Sequence, residues 1–147
     1  MKSRILILCT GNSCRSQMVE GILKSFDNEL EVFSAGVAPA SVIQPNTITV
    51  MKEIGINISK QYPKDVSKYL AEAFDYVITV CDNAKESCPV FSGKVINRIH
   101  IGFEDPYYAT GTEEEILDSY RKVRDEIKDK FKDFYDNNIV KGLQWKS

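Results

Sequence analysis

The hydrophobic segment Arg4 to Leu8 runs without a break into Cys9-Thr10-Gly11-Asn12-Ser13-Cys14-Arg15-Ser16, and a helical pattern with Met18, Ile22 and Phe26 on one face follows at once. A short β-rich apolar run reads as a buried strand. Strand, polar glycine-containing loop and helix in that order open an α/β unit. A loop between a strand end and a helix start aims several backbone N–H groups at one point, and the helix dipole adds to their positive field. Arg15 supplies a planar fork that fits two oxygens of a tetrahedral oxyanion. Cys9 is placed at the floor of this cradle, where the same field favours its thiolate, the nucleophilic form. Ser16 is expected to donate a hydrogen bond to that sulfur. Gly11 permits the turn and Asn12 tolerates a left-handed backbone. The anion-binding set is thus Thr10, Gly11, Asn12, Ser13, Cys14 and Arg15.

The rest of the chain repeats the alternation. A second strand is predicted at Glu31 to Phe33, ended by Ser34-Ala35-Gly36. Pro45 opens a helix carrying Ile48, Met51 and Ile54, and Gly55 stops it. A short helix is predicted from Ser67 to Ala73, a third strand from Tyr76 to Val80 ending at Cys81, and a fourth from Lys94 to Ile99. Thr112 and Glu115 have capping-box spacing at the start of a long final helix. In that helix Ile116, Tyr120, Val123, Ile127, Phe131 and Phe134 form one buried stripe and the charges between them a solvated face. Asn137-Asn138 is expected to end it, and the stretch 139–147, with Trp145, has no assigned structure. The expected fold is α/β, a single domain over 1–147: a four-stranded parallel sheet between layers of helices. Ligands of such sheets bind beyond the carboxyl ends of the strands, so Cys9 and Cys81, each at a strand end, are expected on one rim.

Composition narrows the function. With 19 Lys plus Arg against 21 Asp plus Glu, the net charge of −2 argues against broad binding to nucleic acid or anionic membranes. The longest unbroken apolar run, Ile5 to Cys9, is short of a membrane span or a signal-peptide core. A cytoplasmic protein is expected, and in a reducing compartment four cysteines point to catalysis, redox chemistry or metal binding before structural disulfides. Zinc is the weaker reading, because the cysteines are not in tight pairs, His100 is the only histidine, and Arg15 beside Cys9 suits an anion. His100 itself reads as structural.

Cys-Thr-Gly-Asn-Ser-Cys-Arg-Ser-Gln resembles the phosphate-binding loop of the low-molecular-weight protein tyrosine phosphatase superfamily. More closely, it resembles the thioredoxin-coupled arsenate reductases built on that fold. Matching features run from Ile5 to about Lys130 and include Ser34-Ala35-Gly36, Asp105-Pro106 and Arg121 to Lys128. The resemblance implies that Asp105 is the general acid that protonates a leaving oxygen. It implies that Cys81 and Cys88 form a redox pair: Cys9 attacks arsenate, Cys81 attacks Cys9 and releases arsenite, Cys88 attacks Cys81, and thioredoxin reduces the final disulfide. That relay needs the polar segment between Cys81 and Cys88 to be flexible. No nicotinamide, flavin or metal motif competes as an electron source. Related reductases hold a potassium ion near the loop, and Asn12, Glu20 and Ser34 match positions of that site, with a carboxylate near Asp65 to complete it. Cys14 reads as a buried structural thiol, with a protective disulfide to Cys9 as the alternative. A monomer acting on arsenate or phosphate is expected.

Two other readings stay open. Asp105-Pro106-Tyr107-Tyr108 resembles the phosphotyrosine phosphatase branch, although Val37 to Pro45 lacks the aromatic residue that would stack on a substrate ring. A non-catalytic oxyanion sensor would need Arg15 and the loop amides but not Cys9, Asp105 or Cys88.

Overall fold

The computed structural model describes residues 3–141. Strands β1 (Arg4–Cys9), β2 (Glu31–Gly36), β3 (Phe74–Thr79) and β4 (Val95–His100) form one parallel sheet in the order β2-β1-β3-β4. Helices α1 (Arg15–Phe26), α2 (Pro45–Glu53), α3 (Asp82–Glu86) and α4 (Glu113–Phe134) complete the main elements. Ile5, Leu6, Ile7 and Leu8 are all 0% exposed. Successive side chains of a strand face opposite ways, so β1 is covered on both faces, as a three-layer arrangement requires. On one side of the strands α1 packs against β1, β2 and α4, and α2 packs against α4. Tyr120, Val123, Ile127, Phe131 and Phe134 of α4 are buried, as their spacing predicts. The Thr112–Glu115 capping box forms reciprocally.

Several boundaries differ from the sequence reading. β2 continues through Ser34-Ala35-Gly36, because these residues pair in register with Ile7, Leu8 and Cys9 of the central strand. The helix expected from Ser67 to Ala73 is a single 3₁₀ turn, Val66–Tyr69, capped by Asp65 and anchored by Tyr69 in the core. Its remaining residues lead directly into β3, which starts at Phe74, earlier than Tyr76. Asn137 and Asn138 do not end the last helix. Their side-chain amides bond back to the Asp133 and Phe134 carbonyls, and the chain continues as a π-helical turn, Tyr135–Val140, that buries Ile139. Trp145 and the rest of the expected irregular tail from 142 lie outside the described residues. The face of α4 between its apolar positions is not uniformly solvated: Arg124 is buried and donates to the Val50 carbonyl and to Glu53, tying α4 to α2.

The strand order positions the site. From β1 the chain crosses to β2 on one side and then returns to β3 on the other. The carboxyl end of β1 is therefore the switch point at which this class of sheet opens a crevice. Leu8 pairs with Thr79, and the Val80 amide donates to the Leu8 carbonyl at 2.9 Å, so the residues that follow β1 and β3 leave the sheet side by side.

Candidate active site

Cys9 is the last residue of β1 and Cys14 precedes the first turn of α1. Between them the loop turns its carbonyls outward. Val37, Ala38, Ala40 and Gln44 donate their amides to the carbonyls of Cys9, Thr10, Gly11 and Ser13 at 2.9–3.2 Å. The Asn12 carbonyl accepts from Gln17 Nε2 at 3.0 Å. With the carbonyls engaged on the outside, the loop's N–H groups are left to the inside. Asn12 takes a φ of 51°, the one left-handed non-glycine residue among those described, as its residue type allows. Gly36 has a separate reason to be glycine: a Cβ there would stand 2.5 Å from the Thr10 carbonyl oxygen. The absence of a side chain lets β2 lie against the loop.

Arg15 is 9% exposed and holds its guanidinium across the mouth of the loop. Nη1 donates to the Phe103 carbonyl at 3.0 Å and Nη2 pairs with Asp105 Oδ2 at 3.2 Å. Nε is buried and has no partner, a costly state for a cationic donor unless a ligand completes it. Asp105 caps the turn Pro106–Tyr108 through the Tyr107 amide, which aims its other oxygen at Arg15. A cleft of about 760 Å³ collects these groups. Its walls include Cys9, Ser13, Arg15, Cys81, Asp105 and Tyr108.

Cys9 and Cys81 line the same cleft, as their strand-end positions predict, and each thiol shifts the titration of the other. Cys81 is the N-cap of α3, its sulfur accepting from the Ala84 amide at 3.4 Å and lying 3.3 Å from Thr10 Oγ1. The pair titrates together. Cys9 draws the Cys81 value down to about 5, with Thr10, the Ala84 amide and Arg15 adding to the effect. Cys9, beside Cys81 and deeply buried, is correspondingly held well above its ordinary value. One thiolate is thus favoured within the Cys9–Cys81 pair, where Arg15, Thr10 and the Ala84 amide gather. Burial pushes the Cys14 thiol up to about 12, which fits an inert structural role.

Ser16 and the segment between Cys81 and Cys88 sit differently from the sequence reading. Ser16 is fully buried and its Oγ accepts from Asn12 Nδ2 at 2.7 Å. It supports the loop through Asn12. Cys88 lies outside the cleft, half-buried, in a neighbouring hollow with Thr79, Pro89, Arg98 and His100. Burial raises its pKa, so it rests as a thiol. The stretch between Cys81 and Cys88, expected to be loose, contains α3, a helix of five residues.

Sequence reasoning missed Asn83 and the environment of His100. Asn83 Nδ2 donates to Thr10 Oγ1 at 3.0 Å, joining α3 to the loop. His100 bridges Thr79 Oγ1 at 2.8 Å and Asp82 Oδ1 at 3.2 Å, which gives the structural histidine a definite place beside α3. Behind the loop, Asn12, Glu20 and Ser34 do come together. Ser34 Oγ donates to Glu20 Oε1 at 2.6 Å and accepts from Asn12 Nδ2 at 2.9 Å. Asp65 caps the 3₁₀ turn, and Lys64 Nζ lies 3.8 Å from Glu20 Oε1. Neither Lys64 nor Asn83 carries a motif signal, because both reach the loop only through the folded chain.

Comparison with known proteins agrees with this geometry. The family described as low molecular weight phosphotyrosine protein phosphatase matches residues 4–144. A protein named arsenate reductase from Halalkalibacterium halodurans is 45% identical over 134 residues, covering 90% of this chain and 95% of that one. A solved structure described as an arsenate reductase in the phosphate binding state superposes with a TM-score of 0.75 at 28% identity, covering 90% of this chain and 95% of the other. A thioredoxin-dependent arsenate reductase from Corynebacterium glutamicum superposes with a TM-score of 0.58 at 29% identity, over 89% of this chain and 61% of its own. A family match over nearly the whole length, together with the loop, the sheet order and the facing acid, shows that the chain belongs to the low molecular weight phosphotyrosine protein phosphatase family.

Proposed function

We propose that this protein reduces arsenate to arsenite through Cys9, Cys81 and Cys88, and that a thioredoxin-type dithiol regenerates it. The observation that carries the reading is that Cys9 and Cys81 open into one cleft beside a loop built for an oxyanion. A phosphatase has no use for a second thiolate against its nucleophile, whereas a two-electron reduction requires one. The names of the similar proteins point the same way.

The chemistry follows from the contacts. The loop amides and the unpartnered Nε of Arg15 hold the oxyanion. Cys9 passes its proton to Cys81 and attacks arsenic, and a hydroxide leaves as water after protonation by Asp105. The Asp105 carboxylate so formed takes the proton from Cys81, whose thiolate attacks the Cys9 sulfur. The S–S bond forms, the S–As bond breaks, and its electron pair stays on arsenic, which leaves as arsenite. The Cys81 sulfur is now a disulfide sulfur and no longer a charged cap for α3. The short helix loosens, Cys88 reaches Cys81 and attacks it, its thiol proton passes to the departing sulfur, and a Cys81–Cys88 disulfide forms while Cys9 is released as a thiol. An external dithiol then reduces that disulfide.

A steady-state assay with arsenate, thioredoxin and its reductase tests the reading. Wild type turns over, and Cys88→Ser gives one arsenite per chain and stops with Cys9 joined to Cys81 in the peptide map. Continued turnover by Cys88→Ser would overturn the relay. A phosphatase reading is favoured by one observation: Tyr107 and Tyr108, 56% and 76% exposed, stand at the rim beside Asp105. It predicts aryl phosphate hydrolysis that survives Cys81→Ser, at a catalytic efficiency above that for arsenate.

A further inference from the structure

We propose that Lys64 is a positioning residue for the Cys9 loop, its tethered ammonium standing where a free cation would otherwise balance Glu20. Glu20 is 5% exposed, and a buried carboxylate needs a partner charge. Two are present. Lys24 Nζ binds Glu20 Oε2 at 2.6 Å, from a side chain that is 47% exposed. Lys64 Nζ lies 3.8 Å from Glu20 Oε1, and its side chain is 10% exposed. Water screens the first far more than the second. The Lys64 ammonium is itself held, donating to the Tyr62 carbonyl at 2.7 Å and lying 4.9 Å from the centre of the Tyr62 ring.

From Glu20 the connection to the nucleophile loop is continuous. Glu20 accepts from Ser34, Ser34 accepts from Asn12, and the same Asn12 amide group donates to Ser16. Asn12 Oδ1 accepts from the backbone N–H of Lys64 at 2.9 Å, so Lys64 grips the network at both ends. Every polar atom of the Asn12 side chain is thereby committed, and Asn12 is the residue whose left-handed φ turns the loop. A buried network of this kind is stiff when fully satisfied and fails as a unit when one charge is left over. With the Lys64 ammonium removed, Glu20 draws a proton or water, the Ser34 hydroxyl loses its fixed acceptor, and the loop's turn residue is released.

The same arrangement argues against a potassium ion here. The one carboxylate of the cluster already faces two ammonium groups, and Asn12 Oδ1 is turned to an N–H.

The test reads phosphate binding to the reduced protein, followed by thermal shift and by competition with arsenate, in choline, sodium and potassium chloride at equal ionic strength. Phosphate occupancy reports the loop whether or not the chain reduces arsenate, so failure here and failure of the reductase reading are separate results. Wild type is expected to bind phosphate equally in all three salts. Lys64→Met is expected to weaken binding about tenfold in choline, the scale for losing one charge partner of a buried acid, and to regain affinity in potassium. Lys64→Arg keeps most of the affinity, and Lys24→Met changes it less than about threefold, as an exposed pair should. In turnover, Lys64→Met raises KM for arsenate more than it lowers kcat. Stronger phosphate binding by wild type in potassium, or full affinity of Lys64→Met in choline, overturns the proposal. The wild-type salt series decides it even if Lys64→Met does not fold.

Discussion

A single proton between Cys9 and Cys81 divides the labour at the residue scale. The other two cysteines are protonated at neutral pH, Cys14 near 12 and Cys88 raised by burial. One thiolate per chain is therefore expected between about pH 5 and pH 9, and it belongs to the pair. The sign is that of a depressed acid: the charged form persists as pH falls and disappears only through a value near 5. Ultraviolet thiolate absorbance during acid titration measures it. Thr10→Val removes a donor to Cys81 and moves the midpoint upward. A midpoint at the ordinary thiol value would contradict the mutual shift of the Cys9 and Cys81 thiols. Asp105→Asn keeps the shape of the turn but cannot protonate a leaving oxygen. Arsenate attack should slow by about 10²-fold or more, while exchange between preformed Cys9–Cys81 disulfide and Cys88 proceeds normally. Single-turnover release of arsenite separates the two steps. The meeting of Cys9 and Arg15 in one loop is legible in the sequence because strand, loop and helix follow within a few positions, whereas the acid role of Asp105 is implied only by the resemblance of Asp105-Pro106. Ser16 is not, because the choice between the Cys9 sulfur and Asn12 depends on where β2 places Ser34.

At the scale of elements, the loop is shaped by what lies outside it. The segment 36–44 takes the loop carbonyls, and Gly36 allows the approach. Gly36→Ala is expected to leave the far-ultraviolet spectrum unchanged and to abolish phosphate-dependent stabilisation, because a Cβ at 2.5 Å must displace the Thr10 carbonyl. Helix α4 offers a contrasting case. Its capping box at Thr112 supports the helix start far from any chemistry. Thr112→Ala should cost about 1 kcal/mol in denaturant unfolding with the phosphate affinity unchanged. The periodic stripe of α4 was readable because helical spacing maps directly onto a face. The burial of Arg124 was not, since only the arrival of α2 beside α4 offers it the Val50 carbonyl and Glu53. Likewise the polarity of 82–87 suggested a loose loop, yet Cys81 caps it into α3 with its own sulfur.

For the whole molecule, the division is between a sheet sealed on both faces and a short helix held by contacts at one end. Strand β1 is fully enclosed, whereas α3 rests on Cys81, Asn83–Thr10 and the Asp82–His100 bond, with Asp82 89% exposed. Hydrogen exchange should show this directly. Oxidation to the Cys81–Cys88 disulfide is expected to speed exchange across 82–88 and leave the amides of β1 and β3 protected. Equal protection of α3 in both redox states would argue that Cys88 never reaches Cys81. The parallel sheet, the oxyanion loop and the meeting of Cys9 with Cys81 all follow from the order of residues along the chain, since hydrophobic periodicity and strand-end placement are local or topological facts. Which sulfur carries the charge, which side chain balances Glu20, and where Cys88 waits are different in kind. Each is a competition among hydrogen-bond donors, burial and counter-charges brought from distant segments, and such competitions have no outcome until the folded chain sets the distances.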